Sequence, residues 1–395
     1  HSLKTLTAGL GTDSQPLEAV LDNAGDVTAY QVALSSGTPG CSLSGVAADG
    51  TADSDGLCVI MTDAQAGSAV IEGALAQAKA AIDTENFTFI VMANGMAGSS
   101  PCSQEVLADG LEQLLKKLGF QNSLKACSNK IVVVKYGGNA MINEDLRKSV
   151  MGDIVLLNLI GVKVVLVHGG GPHIKETLNK LGMESKFLNG LRVTDAETMK
   201  VVQMVLAGQV NKDLVNLIGT IGGKAIGLCG IDDQMIKVQK QSDELGYVGR
   251  ITDVDVSIIK DNLDKGYIPV ISTIGTDTNG QAYNINADTA AAKIAGALNA
   301  ECMLSMTNID GVLKDKDEPD SLLTEITLDQ ARQLENDGII AGGMIPKVQC
   351  CTDAIKAGVK RVFIINGTVP HAILIEMLTE EGLGTMFVGH YSIGK

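Results

Sequence analysis

From Lys130 onward, short β-branched runs alternate with longer stretches in which apolar side chains recur at every third or fourth position. The short runs read as strands buried on both faces, and the wider spacing marks the apolar stripe of a helix. Strands are expected at residues 131–134, 163–167, 225–228, 268–272 and 361–365, and helices at 144–160 and 195–218. Strands alternating with helices predict an α/β fold: a mainly parallel open sheet covered by helices on both faces, a three-layer αβα sandwich. The 45 glycines fall mostly at strand-to-helix junctions, where turns need them, and no fixed-period repeat is present.

The first hundred residues differ in texture, being rich in Ala, Gly, Ser, Thr and Asp, with one Lys and no Arg before Lys79. The sequence Gly98-Ser99-Ser100-Pro101 breaks the pattern and suggests a boundary. Residues 1–101 are therefore expected to form a smaller N-terminal α/β domain, 102–129 a linker, and 130–395 the main domain. Within the linker, Val106, Leu107, Leu111, Leu114, Leu115 and Leu118 line one face of an amphipathic helix over 104–118. That helix reads either as a linker packed on its own domain or as an oligomer-forming arm.

Composition narrows the function classes. With 31 Lys and Arg against 46 Asp and Glu, the net charge of −15 argues against nucleic-acid binding, which needs a basic face. No Trp and only six Phe and six Tyr argue against an aromatic platform that stacks bases. The longest apolar stretch, 154–167, is interrupted by Asn158 and Lys163 and falls short of the roughly 20 residues of a bilayer span. Eight irregularly spaced cysteines without a CxxC suggest neither a disulfide framework nor a zinc knuckle. With no basic-then-apolar leader at the start, the expectation is a soluble, cytoplasmic protein without a structural metal. The acidic run 49–56 is no EF-hand either, since the twelfth loop position is Thr62 rather than Glu.

The candidate chemistry lies at strand ends. Lys135-Tyr136-Gly137-Gly138-Asn139 directly follows an apolar strand, where open α/β sheets bind ligands. His168-Gly169-Gly170-Gly171-Pro172 offers a second Gly-rich turn before a helix, a cradle of N–H donors for an anion. Asn189-Gly190 signals a hairpin that carries Arg192, whose guanidinium could clamp a carboxylate. Asn284-Ile285-Asn286-Ala287-Asp288 alternates polar residues ahead of an Ala-rich helix expected over 289–300, and Lys347 opens a further helix after Gly342-Gly343. Each feature has a plainer reading: Lys135 snorkelling to solvent, a tight glycine turn, Arg192 exposed at the surface, Asp288 as a helix cap, His168 and His173 as structural side chains. Together they supply two lysines, two anion cradles, an arginine and a carboxylate, which is what phosphoryl transfer needs: positioning and positive charge.

The ordered motifs VVVKYGGNAM, VVLVHGGGP, NGLRVT, LGYVGRI, NINAD and GGMIPKV resemble the acetylglutamate kinases of the amino-acid kinase family over residues 130–389. The resemblance implies an open, mainly parallel eight-stranded sheet, with N-acetyl-L-glutamate bound by the N-terminal half and ATP, with Mg2+, by the C-terminal half. It implies that Lys135 and Lys347 stabilise the transferring phosphoryl group while Asp288 holds both lysines. Gly137 and Gly138 would serve the ATP phosphates, and Gly170, Gly171, Arg192 and Asn284 the acetylglutamate, supported by Asn286. Thr307 and Asn308 fall at the nucleotide side, where the family usually has Thr-Asp-Val and this chain has Thr307-Asn308-Ile309.

The stretch from Pro370-His371 to Met386 resembles the arginine-inhibited, hexameric branch, with His371, Glu381 and Gly384 as effector candidates for L-arginine and a homo-oligomer, dimer or hexamer, as the assembly. Cys58-Val59-Ile60-Met61-Thr62-Asp63-Ala64 and Val91-Met92-Ala93-Asn94-Gly95 loosely resemble part of ornithine acetyltransferase. Asp55 stands where that family has its nucleophilic threonine, so a noncatalytic domain is implied. The competing readings are an amino-acid kinase with another carboxylate acceptor, and a catalytically idle protein that senses arginine or binds a partner.

Overall fold

The computed structural model describes residues 129–315, 318–378 and 382–389, and ahead of them seven strands by their backbone pairing. The chain divides into two compact units, residues 1–121 and 122–395. The helix expected over 104–118 lies outside the described residues, as do Asp55 and Glu381.

In the first unit β1 (Thr7–Leu10) and β2 (Asp13–Pro16) pair antiparallel. A separate five-stranded sheet runs in chain order through β3 (Glu18–Leu21), β4 (Val27–Gln31), β5 (Cys41–Val46), β6 (Gly56–Asp63) and β7 (Phe87–Asn94). Its pairs are antiparallel except β6 with β7. A parallel pair requires a crossover connection. The residues between these two strands are outside the described ones.

The second unit is built on an eight-stranded sheet. Its strands are β8 (Ile131–Tyr136), β9 (Lys163–His168), β12 (Ala225–Cys229), β15 (Ile268–Ser272), β18 (Cys302–Thr307), β19 (Glu325–Thr327), β20 (Arg361–Asn366) and β21 (Thr385–Val388). The order is β12-β15-β9-β8-β18-β20-β21-β19, and every pair is parallel except β20 with β21. Helices cover both faces of this α/β sheet. That is why β8 and β9 are nearly all Val and Leu, with Val132, Val133, Val134, Val164, Val165 and Leu166 fully buried. The five expected strands are present, each beginning where expected and four of them one or two residues longer. The sequence reading missed β18, a fully buried central strand written Cys-Met-Leu-Ser-Met-Thr, because it lacks the β-branched run that marks its neighbours.

From β8 the chain proceeds to β9 on one side, and β18 later docks on the other. Strand β8 therefore sits at a topological switch point, and the crevice at its C-terminal end is where such sheets bind ligands. A second, four-stranded sheet joins β14 (Gly249–Val254), β13 (Ile236–Lys240), β16 (Ile274–Thr276) and β17 (Ala282–Asn284). The Asn189-Gly190 turn closes a hairpin of β10 (Phe187–Leu188) and β11 (Leu191–Arg192), with φ of 50° and 79° at the two turn residues.

Two helices depart from expectation. The stretch 195–218 is α-helical over Ala196–Gln203, π-helical over Met204–Val210 and α-helical again over Asn211–Thr220, with Asp195 capping its start at the Thr198 N–H, 2.8 Å away. The Ala-rich helix spans Ala287–Ala297 rather than starting at Thr289, because the Asn286 side chain accepts from the Thr289 N–H and so caps it. Asp288 is not the cap and is free for other work.

Candidate active site

At the end of β8 the Lys135 side chain turns into the crevice but stays buried, at 7% exposure. Its ammonium lies 2.9 Å from Asp288 Oδ1 and donates to the Met306 carbonyl of β18 at 3.3 Å. The Ser305 hydroxyl donates to the same Asp288 oxygen at 3.4 Å. Burial by itself would raise the Asp288 carboxyl, but the charges of Lys135 and Lys347 and the two hydrogen bonds outweigh it and hold it below the usual carboxylate range. Lys135 is thus not a snorkelling strand-end lysine. It is half of a fixed ion pair.

A cavity of about 250 Å³ opens beside this pair. Its wall carries Lys135, Gly137, Gly138, Gly170, Gly171, Arg192, Asn284, Asn286 and Asp288, so nine of the expected site residues meet in one place. Gly170 precedes the helix Gly171–Lys180, whose first-turn N–H groups lack intrahelical acceptors. A Cβ at Gly170 would come within 2.5 Å of the Leu206 Cδ2 methyl in the π-helical segment, so any larger residue there must displace that methyl. Arg192 is buried at 8% exposure, contrary to the surface reading, and burial lowers its pKa from the ordinary guanidinium value without discharging it. It donates to the Ser185 hydroxyl and to the Gly171 carbonyl at 3.1 Å, and stacks 4.8 Å from the Phe187 ring centroid. Asn284 donates through Nδ2 to the Thr194 hydroxyl at 3.2 Å, which donates in turn to the Arg192 carbonyl at 2.8 Å. Asn286 is the helix cap described above.

The remaining expected residues lie elsewhere. Lys347 stands in the first turn of the helix Met344–Lys356, off the cavity wall, its charge still felt at Asp288. Thr307 ends β18 with its hydroxyl bonded to Ile309, and Asn308 is exposed. His371, at φ 57°, places Nδ1 2.6 Å from Asp153, and its N–H donates to Ser149 Oγ. Burial pushes the Asp153 carboxyl up to about 6, against the lowering pull of His371. The Gly384 N–H donates to Glu376, 3.1 Å away. Among the described residues no group of three or more His, Cys, Asp and Glu could hold a metal ion.

The model of the amino acid kinase family matches residues 130–366. The chain belongs to that family. Within the amino acid kinase family it is 53% identical over 262 residues to an acetylglutamate kinase of Brachyspira hyodysenteriae, covering 66% of this chain and 91% of the relative. It is 50% identical over 284 residues to an acetylglutamate kinase of Clostridium kluyveri, covering 71% and 97%. Among solved structures, N-acetylglutamate synthase from Neisseria gonorrhoeae superposes with a TM-score of 0.62 at 23% identity, covering 71% of this chain and 64% of that one, a likeness of fold. The amino acid kinase cavity also uses residues the sequence reading missed: Ser305 and the Met306 carbonyl at the ion pair, Ser185 and Phe187 around Arg192. A serine inside an otherwise buried apolar stretch was the one available signal.

Proposed function

We propose that this chain phosphorylates the γ-carboxylate of N-acetyl-L-glutamate with ATP, giving N-acetyl-L-glutamyl 5-phosphate and ADP in arginine biosynthesis. The observation that carries the reading is the Lys135–Asp288 pair, 2.9 Å apart, on the wall of a cavity that also presents Arg192 and the glycine cradle. Relatives named acetylglutamate kinase, about half identical over nine-tenths or more of their length, support the acceptor.

An acceptor carboxylate is ionised at neutral pH and needs no general base. Its oxygen attacks the γ-phosphorus in line, an O–P bond forms, and the bond to the β,γ-bridging oxygen breaks with its electron pair leaving on ADP. Charge accumulates on the transferring oxygens, and Lys135 and Lys347 offset it. Asp288 keeps Lys135 aimed. Gly170, Gly171, Arg192 and Asn284 orient the acceptor, with Asn286 fixing the strand-to-helix junction beside them, while Gly137, Gly138, Thr307 and Asn308 serve the nucleotide. The described acidic groups make no metal cage, and Asp288 is committed to its lysine. Mg2+ would enter bound to ATP, and the chemistry it would supply there is to offset the charge of the phosphates.

The test is acyl-phosphate formation trapped with hydroxylamine, comparing N-acetyl-L-glutamate with glutamate and aspartate. Turnover confined to the acetylated acceptor is expected. Preference for another carboxylate would reassign the substrate, and none with any acceptor, in folded protein that binds ATP, would favour an idle sensor.

Inhibition by L-arginine is part of the proposal. His371 begins the turn into the helix Ala372–Leu378, and Glu376 on that helix holds Leu383 and Gly384, so the two described effector candidates share one corner with the buried Asp153. Activity unchanged by millimolar arginine would remove this part. Homo-oligomerisation belongs to the same reading, with Ile142, Leu181 and Met204 as large apolar side chains left exposed away from the cavity wall. No helix among the described residues is long and apolar enough to cross a membrane.

A further inference from the structure

We infer that His168 and Asn211 form a buried positioning pair that fixes the turn at residues 169–171 and, through it, the affinity of the cavity for its carboxylate acceptor. The inference rests on the acceptor reading above.

His168 is the last residue of β9, fully buried and off the cavity wall, directly ahead of the glycines that line it. Its Nε2 faces Asn211 Nδ2 at 3.1 Å. An amide nitrogen can only donate, so Nε2 accepts and the ring proton sits on Nδ1. Nδ1 lies 2.8 Å from the Gly169 carbonyl and therefore donates to it. Burial lowers the ring to about pKa 4, with the charges of His173 and Lys212 acting in the same direction, so this tautomer is neutral at working pH.

Asn211 is itself anchored. Its Nδ2 reaches the carbonyls of Val270 at 2.9 Å and Leu228 at 3.3 Å, on β15 and β12, and its Oδ1 accepts from Lys212 at 3.1 Å. Strand β12 makes room for it with Gly227, where a Cβ would stand 2.0 Å from Asn211 Oδ1. Asn211 is also the first residue after the π-helical segment, from which Leu206 packs on Gly170. Consecutive residues of the turn are thus gripped from one helix: Gly169 through His168 and Asn211, Gly170 by Leu206. A merely structural polar pair could be replaced by apolar side chains of similar shape at little cost. A positioning pair could not be replaced without moving the turn.

The experiment measures steady-state kinetics of the full chain for His168→Gln, His168→Asn, Asn211→Leu and the His168→Gln/Asn211→Leu double variant, with folding checked by thermal melts. Glutamine can keep the bond to Asn211 and loses that to Gly169. Asparagine, whose nitrogen matches Nδ1, does the reverse. His168→Gln and Asn211→Leu are expected to raise KM for N-acetyl-L-glutamate about 10- to 100-fold while KM for ATP stays put. His168→Asn should fall between them and the wild type, and the double variant should be no worse than the weaker single one. Unchanged acceptor KM, or equal loss in both KM values, would overturn the inference. If Asn211→Leu fails to fold, the two His168 variants decide it. Wild-type protein inert toward N-acetyl-L-glutamate would overturn the acceptor reading and this inference together, whereas active wild type with indifferent variants overturns the inference alone.

Discussion

Lys135 stays buried because its charge is answered on the spot, by a carboxylate at 2.9 Å and a carbonyl at 3.3 Å. Lys135→Ala and Lys347→Ala are each expected to lower kcat by about 10²- to 10³-fold with the fold retained, read from hydroxylamine trapping alongside circular dichroism. Near-normal turnover of either variant would take that lysine out of charge stabilisation. His168 makes a stability prediction of its own. In the unfolded chain an imidazole titrates near 6.5, and in the fold burial lowers it to about 4. Between those values the unfolded chain binds more protons, so the stability present above the upper value drains away as pH falls toward the lower one. Urea unfolding at about pH 7 and about pH 4.5 should show up to about 3 kcal/mol more loss in the wild type than in His168→Asn. An equal loss in both would remove His168 as the cause. At this scale the sequence made Lys135, Arg192 and the glycines legible, since strand ends and turns announce themselves locally. It could not tell that Ser305 touches Asp288, because that contact depends on a strand contributed from elsewhere in the chain.

The π-helical segment Met204–Val210 contributes Leu206 to the cavity wall, where it packs against Gly170. Such segments tend to occur at functional sites. Gly170→Ala drives a methyl to 2.5 Å from Leu206 and is expected to cost about 1–3 kcal/mol and to weaken acceptor binding. Adding Leu206→Val should recover part of both, measured by denaturant midpoints and acceptor KM, and no recovery would mean the clash is not with Leu206. The periodicity showed that this stretch is helical but not where the winding changes, since buried Leu206, Val210, Leu214 and Ile218 recur at a four-residue spacing that an unbroken α-helix also shows. The hairpin at Asn189-Gly190 was legible because its turn type depends on two residues alone. Strand β18 was not, because Met, Cys and Ser fit a buried helix as readily as a strand.

On the scale of the molecule, the alternation of strands and helices was enough to foresee the parallel sheet, whereas the strand order required the structure. The sheet and its cavity draw on no described residue before Ile131. One acetylglutamate kinase is matched over 91% of its length by 262 residues of this chain, and another over 97% by 284. A chain starting at Cys102 is therefore expected to fold and to form acyl phosphate at close to the full-length rate, and an inactive but folded product would give residues 1–101 a part in catalysis. Strand β21 is the last of the sheet in chain order, yet it lies inside it, between β20 and β19. During synthesis, then, β19 leaves the ribosome long before the strand it pairs with exists. The sheet cannot grow steadily from the N-terminal side, and its far edge must wait, open to wrong partners, until β21 arrives to close it.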